Sequence, residues 1–364
     1  MKQTLTANQS PAGHVHIDRM TFSGPLDHEP KGELIFKHHP DYGLIPVGAS
    51  ALTPQRRRNP TPVDMFIKSH QVQMDERAYA MRFDCCPPQI LQGHNFFGHQ
   101  DIRDYAYSIF DMQTSKLGIP VADDERACWQ SGRLIHTSQV HLTANFWIPS
   151  HLKRPVIDAI DAANSRGKHR DIETCISLGY NASRRSTHHT ACIYDKWALL
   201  NSLWTSPGEY QRLILPMAMD SIRIEMRLHE GGLAARSLKA LRNWEGLDID
   251  ALFFELLASY NIRNAIQPIL TPHEESELSK PARIMYLLWL YGEELEPLFS
   301  RSKIWTYQQE IKEVTTLDIK SHRRPDALPV VDLSEVLTPQ NIVPLPDWAV
   351  ESGRYWRSTP MNSQ

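Results

Sequence analysis

Residues 221–229 read SIRIEMRLH, and this stretch decides the fold class. Apolar and polar residues alternate along it, with Ile222, Ile224, Met226 and Leu228 on one side and Arg223, Glu225, Arg227 and His229 on the other. Because successive side chains of a strand point to opposite faces, the pattern predicts a strand that buries one face. A sheet built from such strands is antiparallel, since parallel sheets have both faces covered by helices.

Residues 133–147, RLIHTSQVHLTANFW, predict a second strand of the same kind. Its core face carries Val140, Leu142, Ala144 and Phe146, and its other face carries Gln139, His141, Thr143 and Asn145. Gln139 and His141 point the same way, at a spacing that lets two neighbouring side chains share one metal ion. A polar face turned to solvent explains the same pattern, and the spacing does not choose between the two interpretations.

The rest of the chain extends this picture. Strands are predicted at 14–22, 174–181 and 189–195, and helices at 101–117 and 151–165. After Gly231 and Gly232 the patterns are helical alone, over 233–244, 249–260, 280–291 and 301–314. The sequence therefore predicts an α+β protein, an antiparallel sheet with packed helices followed by a mainly helical C-terminal domain.

We expect four parts along the chain. They are a flexible tail over 1–13, a sheet domain over 14–232, a helical domain over 233–320 and an extended C-terminal arm over 321–364. The boundary is placed at Gly231 and Gly232 because two adjacent glycines could act as a hinge.

Composition narrows the function classes. The 364 residues include 39 Lys and Arg and 42 Asp and Glu, so the formal net charge of −3 gives no global argument for nucleic-acid binding. Between Arg166 and Lys196, however, basic residues outnumber acidic ones, as in phosphate-binding surfaces and also in many solvated loops. No apolar run predicts a membrane span or a secretory signal, and five Cys without a CxxC spacing suggest reduced thiols in a cytosol.

Three further patterns could carry chemistry. Tyr194 and Lys196 share a predicted strand face, and an ammonium beside a phenol, whose pKa is ordinarily about 10, would favour nucleophilic attack. Asp18 follows His14 and His16 on one strand face, a weak metal-site pattern. A Tyr–Lys surface pair is the commoner explanation of the first pattern, and a His-x-His spacing arises often in a chain with seventeen His. Glu225 between its two arginines is either part of a surface ion-pair ladder or an acidic ligand between phosphate-binding groups.

The string at 90–98, ILQGHNFFG, resembles the LQGHNxFG signature of the replication initiators of filamentous phages, the gene II/X family. Further blocks resemble that family in the same order, over about residues 15–315. They are Ile17-Asp18, the strand at 133–146, SRR at 183–185, YDK at 194–196, RIEMR at 223–227 and LFSRSKIWTYQQEI at 298–311.

The resemblance implies a fold and an activity. Members of this family start rolling-circle replication: a tyrosine nicks one strand of supercoiled DNA at the origin, and the initiator later cuts and rejoins the displaced strand. They are grouped with the HUH endonucleases, whose antiparallel sheet holds a metal on one face. For this chain it implies an HUH-endonuclease-like domain over 14–232 that nicks and binds origin DNA.

The resemblance also assigns residues. Tyr194 matches the nucleophile and Lys196 the family's lysine. Mg²⁺ or Mn²⁺ would lie near His141, with Glu225 and Asp18 completing the site. The family often has Arg-x-Asp where this chain has Gln-Val-His, so His141 would replace an acidic ligand. The expected DNA-binding residues are Arg184, Arg185, Arg223, Arg227, His94 and Asn95.

Expected partners are phage or plasmid origin DNA, as supercoiled duplex and single strand, with host helicase and polymerase, in the host bacterial cytoplasm and away from membranes. The competing interpretation is a non-catalytic origin-binding or regulatory protein with a decayed metal site. A third, a metal-dependent hydrolase of small phosphoesters, leaves the block around Tyr194 unexplained.

Overall fold

The structure is a computed structural model that describes residues 13–39, 43–49, 65–73, 75–164, 168–172, 174–181, 184–260, 262, 272–291, 293–315, 318–319 and 333–357. Its strands are β1 (His16–His28), β2 (Leu34–His39), β3 (Gly43–Ala49), β4 (Phe66–Val72), β5 (Ala78–Cys85), β6 (His136–Trp147), β7 (Lys168–Ile172), β8 (Cys175–Leu178), β9 (Tyr180–Asn181), β10 (Arg184–Arg185), β11 (His189–Tyr194) and β12 (Ser221–His229).

The helices are α1 (Pro87–Gln92), α2 (Ile102–Leu117), α3 (Asp123–Ser131), α4 (Ser150–Ala163), α5 (Lys196–Leu203), α6 (Glu209–Met219), α7 (Glu230–Ala235), α8 (Ile249–Ala258), α9 (Pro272–Glu277), α10 (Lys280–Tyr291), α11 (Arg301–Thr315), α12 (Leu333–Val336) and α13 (Asp347–Glu351). Short 3₁₀ helices lie at Leu241–Trp244 and Pro339–Asn341. None of the described helices combines the length and the apolar character needed to cross a membrane.

Eight strands form one sheet in the order β4-β5-β1-β6-β12-β11-β8-β7, with antiparallel neighbours throughout. Strand β12 pairs with β6 along the whole length of β12, from Ser221 opposite Trp147 to His229 opposite Gln139. The predicted α+β fold class, an antiparallel sheet with packed helices and a helical C-terminal part, is confirmed.

One face of this sheet forms the main hydrophobic core. The alternating apolar residues of β6 and β12 are fully buried there against α2, α3, α4 and α8. The rings of Phe110 on α2 and Trp129 on α3 stack 4.1 Å apart. Leu233 and Phe253 belong to the same core, whereas the residues packed around α10 and α11 form a separate cluster. The domain division at 232/233 stays a prediction.

The two glycines at that division have a packing role. They lie in α7, where a Cβ added to Gly232 would overlap the carbonyl oxygen of His188. Gly231 donates its backbone N–H to the carbonyl oxygen of Thr187 at 3.0 Å. Both positions therefore let the loop before β11 approach the start of α7 closely.

The other face of the sheet is polar along β6 and β12, and it is also covered. The turn that follows α1 and the C-terminal segment, residues 339–357, lie on it together with α5 and α6. Phe96, Trp204, Ile214 and Val343 form a second, smaller core under this cover. Several polar side chains of the central strands, those of Thr143, Asn145, Arg223 and Glu225, are buried on this covered face.

Candidate active site

The sheet register brings the three predicted metal ligands together. His141 on β6 lies opposite Arg227 on β12, and Glu225 is two residues back on the same face. Asp18 lies on β1, the other neighbour of β6, at a β-bulge between Ile17 and Arg19. Ligand atoms of Asp18, His141 and Glu225 all lie within 4.8 Å of one another. All three residues are buried, at 5–6% exposure.

The donor atoms suit a hard divalent cation. Burial lowers the pKa of His141 to about 3, so the imidazole is neutral and keeps a lone pair for a metal. Burial alone would raise the pKa of Glu225, but the positive charges of Arg227 and Arg223 outweigh it and hold that pKa below its usual range. Two carboxylates and one neutral imidazole are ligands that Mg²⁺ and Mn²⁺ accept. The residues present therefore fit such an ion.

Gln139 lies at the edge of this cluster. Its amide nitrogen is 2.5 Å from Nε2 of His141, so the two side chains predicted to point the same way are in contact. A groove of about 480 Å³ begins at Gln139 and is lined by hydroxyl groups of Ser138 and Thr187 and by His229. The groove thus reaches the cluster through Gln139.

The predicted nucleophile points at the same cluster. The hydroxyl of Tyr194 donates a hydrogen bond to Oε1 of Glu225 at 2.6 Å. Burial raises the pKa of this phenol well above its usual value, and the charge of Glu225 acts in the same direction. The hydroxyl is consequently protonated at neutral pH and held against a candidate metal ligand.

The sequence predicted Lys196 on the same strand as Tyr194, but Lys196 lies outside the strand because β11 ends at Tyr194. Asp195 caps α5 by accepting hydrogen bonds from the backbone N–H groups of Trp197 and Ala198, which makes Lys196 the first helical residue. Its ammonium still lies 5.9 Å from the ring centre of Tyr194 and is 4% exposed. Burial lowers the pKa of Lys196 to about 8.

The two arginines beside Glu225 differ in exposure. Arg227 donates to Oε2 of Glu225 from Nη2 at 2.8 Å and from Nε at 3.2 Å, and a quarter of its side chain faces solvent. Arg223 is fully buried, with Nη2 placed 2.9 Å from Oδ1 of Asp18 and Nε 3.4 Å from Oε1 of Glu225. The guanidinium of Arg223 thus binds the carboxylates of the site and has no exposed surface, and a DNA contact by Arg223 stays a prediction.

Two predicted DNA-binding residues of the signature string, His94 and Asn95, also form hydrogen bonds within the protein. His94 is 1% exposed and donates from Nε2 to the carbonyl oxygen of Arg354, so its side chain is engaged within the protein, and its DNA contact stays a prediction. Asn95 lies inside the site and donates from Nδ2 to Oδ1 of Asp18 at 2.8 Å. Arg184 and Arg185 form β10, paired with β9, and their side chains lie outside the described part of the chain.

One buried ion pair beside the site was not predicted from the sequence. Lys153 on α4 donates to Oδ1 of Asp195 at 2.6 Å and is 4% exposed. The same carboxylate oxygen caps α5, so Lys153 fixes the start of the helix that carries Lys196. Nothing in the local spacing of Lys153 signals this role, because its partner is 42 residues away.

An antiparallel sheet with packed helices and a mainly helical C-terminal part is consistent with an HUH-like fold. Residues 61–246 match the N-terminal part of the phage replication-associated protein family of the gene II type, and the chain belongs to this family. It is similar to the replication-associated protein of that type from Enterobacteria phage I2-2, with 23% identity over 265 residues that cover 72% of this chain and 76% of the relative. The phage replication initiator family predicted from the signature string is confirmed.

Proposed function

We propose that this protein initiates rolling-circle replication by nicking and rejoining one strand of phage or plasmid DNA at its origin. The observation that carries the proposal is the 2.6 Å hydrogen bond from the Tyr194 hydroxyl to Glu225, a member of the Asp18–His141–Glu225 cluster. A tyrosine held against a candidate metal ligand would lie next to a scissile phosphate bound at that cluster.

The proposed reaction is a transesterification. The phenolic oxygen of Tyr194 forms a bond to phosphorus, the bond from phosphorus to the 3′ oxygen breaks, and the 3′ oxygen leaves as a free hydroxyl after taking up a proton. The phenol loses its own proton, and Glu225 Oε1 already accepts that proton in a hydrogen bond. The 5′-phosphotyrosine ester conserves the bond energy, so attack by a 3′-hydroxyl rejoins the strand without ATP.

Asp18, His141 and Glu225 would hold a Mg²⁺ or Mn²⁺ ion, which supplies Lewis-acid stabilisation of the charge on the phosphate oxygens. Arg227 holds Glu225 through two hydrogen bonds and keeps its carboxylate ionised. Lys196 contributes a buried positive charge beside the tyrosine ring.

The proposed substrate is origin DNA that is single-stranded at the cut. Arg227 is partly exposed at the site and is the described arginine best placed to meet a phosphate. Arg184 and Arg185 remain proposed DNA contacts on the family resemblance. Host helicase and polymerase would act on the nicked product, and the bacterial cytoplasm is the proposed location.

A second candidate is a non-catalytic origin-binding or regulatory protein with a decayed metal site. One observation favours it: both carboxylate oxygens of Glu225 are already bonded, Oε1 to Tyr194 and Oε2 to Arg227. A metal has to displace or share these contacts. The two candidates differ in whether DNA is cut.

The test uses supercoiled plasmid that carries the element's own origin, with Mg²⁺, with Mn²⁺ or with EDTA. The wild type should convert it to open circle in either metal and form a protein–DNA adduct that survives SDS. Tyr194→Phe should lose both products. Tyr79→Phe is the matched control, because Tyr79 also donates its hydroxyl to a carboxylate, that of Asp75 at 2.5 Å, but on a distant strand. Tight origin binding without nicking would support the second candidate.

A further inference from the structure

The signature string at 90–98 folds into a turn in which the side chains of Gln92 and His94 are buried and that of Asn95 is half-buried. Helix α1 ends at Gln92, and Gly93 follows with a φ of 88°, a left-handed conformation that favours glycine. Gln92 donates from Nε2 to the carbonyl oxygen of Phe97 at 2.7 Å. His94 accepts from the backbone N–H of Phe96 at Nδ1, at 3.3 Å. Gln92 and His94 therefore hold the backbone of the string itself in place.

The same two side chains also bind the C-terminal segment. Gln92 Oε1 accepts from the backbone N–H of Trp356, and Nε2 of His94 donates to the carbonyl oxygen of Arg354, both at 2.8 Å. Because Nε2 donates while Nδ1 accepts, His94 is held as one neutral tautomer. Residues about 260 positions apart in sequence thus lock the turn in place.

The C-terminal segment is in turn anchored to the sheet and to α2. The backbone N–H of Val343 donates to the carbonyl oxygen of Asn145 on β6 at 2.8 Å. The ring of Trp356 stacks on Tyr105 at 5.1 Å, and the Arg354 guanidinium lies 4.4 Å from the ring centre of Tyr210. The turn is consequently held from both sides, by the sheet below and by the segment above.

Asn95, at the end of this turn, contacts three charged groups of the site. Its Nδ2 donates to Oδ1 of Asp18 at 2.8 Å, and its Oδ1 accepts from Nζ of Lys196 at 2.9 Å. Its carbonyl oxygen accepts from Nη1 of Arg223 at 2.7 Å. One residue thus bridges a candidate metal ligand and the lysine beside Tyr194.

We propose that Asn95 is a positioning residue, which the turn and the C-terminal segment hold in place so that it orients Asp18 towards the metal and Lys196 towards Tyr194. The proposal rests on the proposed nicking function and deepens it. It gives the signature string a role in building the site, where a direct DNA contact was expected. Mutating a side chain that hydrogen-bonds to a metal ligand and orients it typically lowers metal affinity or activity by about 10–100-fold.

The test compares Asn95→Ser, which is too short to keep both contacts, with Asn95→Gln, which keeps the amide but displaces it by one methylene. Both should lower kcat for nicking of a single-stranded origin oligonucleotide by about 10–100-fold and weaken binding of Mn²⁺ alone by a similar factor. The KM for the oligonucleotide should stay within about twofold of the wild-type value, because a positioning residue does not itself contact DNA. Asn243→Ser, at an exposed asparagine that bonds a backbone carbonyl, is the matched control.

A raised KM with unchanged kcat and unchanged Mn²⁺ affinity would overturn the proposal and make Asn95 a DNA contact. The Mn²⁺ titration needs no DNA, so it separates this inference from the proposed function. A wild type that binds Mn²⁺ but never nicks would refute the nicking reaction. Unchanged Mn²⁺ affinity in both Asn95 variants would refute the positioning role, whatever the DNA does.

The lock on the turn is tested separately with His94→Phe, which fills the same space without a hydrogen bond to Arg354. We expect lower kcat and weaker Mn²⁺ binding than in the wild type, with faster amide hydrogen exchange across residues 92–98. Wild-type values of all three would show that the C-terminal segment is not needed to hold Asn95, and would overturn that half of the proposal.

Discussion

Lys196→Met is the substitution whose effect on stability the structure predicts most closely. The lysine is 4% exposed, and burial, together with the positive charge of Arg223, lowers its pKa from 10.5 to about 8. Methionine has a similar length and no charge. The substitution therefore removes a buried titrating group and leaves most of the packing in place.

The direction in which the free energy of unfolding changes with pH follows from proton binding. Between pH 8 and pH 10.5 the folded protein holds Lys196 neutral while the unfolded chain still binds the proton, so raising the pH stabilises the wild type. The free energy of unfolding should rise by at most about 1.4 kcal/mol per pH unit in this window, or roughly 3 kcal/mol across all of it. Below pH 8 this contribution should be flat. The variant has no such group at position 196.

The assay is urea unfolding of wild type and Lys196→Met in EDTA at half-unit steps from pH 7 to pH 10. The difference in unfolding free energy, wild type minus variant, should be nearly constant below about pH 8 and then rise by about 2 kcal/mol by pH 10. Lys116→Met, at an exposed position on α2, controls for the substitution itself. A difference that stays flat, or that falls with pH, would refute the burial argument for Lys196.

The packing around the site makes three other substitutions informative. Arg223→Met removes the positive charge that pairs with the buried carboxylate of Asp18, and it should destabilise the fold by about 3–5 kcal/mol in thermal unfolding. A loss of stability under about 1 kcal/mol would contradict this. Gly232→Ala pushes a Cβ into the carbonyl of His188 and should cost about 1–3 kcal/mol in urea unfolding; a wild-type midpoint refutes the close approach. Asp18→Asn should weaken binding of Mn²⁺ alone by at least about tenfold in calorimetric titration; equal affinity removes Asp18 from the ligand set.

Strand alternation predicted the central sheet well. The predicted strand at 221–229 is β12 to the residue, and the polar faces of β6 and β12 place His141 and Glu225 on one side as expected. Asp18 joins them because β1 pairs with the other edge of β6. Alternation gives the face of each side chain, but strand order comes only from long-range pairing.

Where tertiary contacts compete with local patterns, the sequence was a poorer guide. The predicted helix over 233–244 is wrong, since α7 ends at Ala235 and Ser237 takes a positive φ of 59°. The chain there instead bonds to the start of β6, with the carbonyl of Lys239 accepting from the N–H of Thr137 at 2.7 Å. The contacts of His94 with residue 354 are equally invisible in local spacing.

The central claim is that Tyr194 becomes covalently attached to DNA. The most direct measurement is mass spectrometry of the SDS-stable adduct formed with origin DNA in Mn²⁺, after nuclease trimming and tryptic digestion. We predict a nucleotide joined through a 5′-phosphate to the peptide that contains Tyr194, absent in EDTA. A nucleotide on another tyrosine, or metal-dependent nicking with no adduct, would contradict the account.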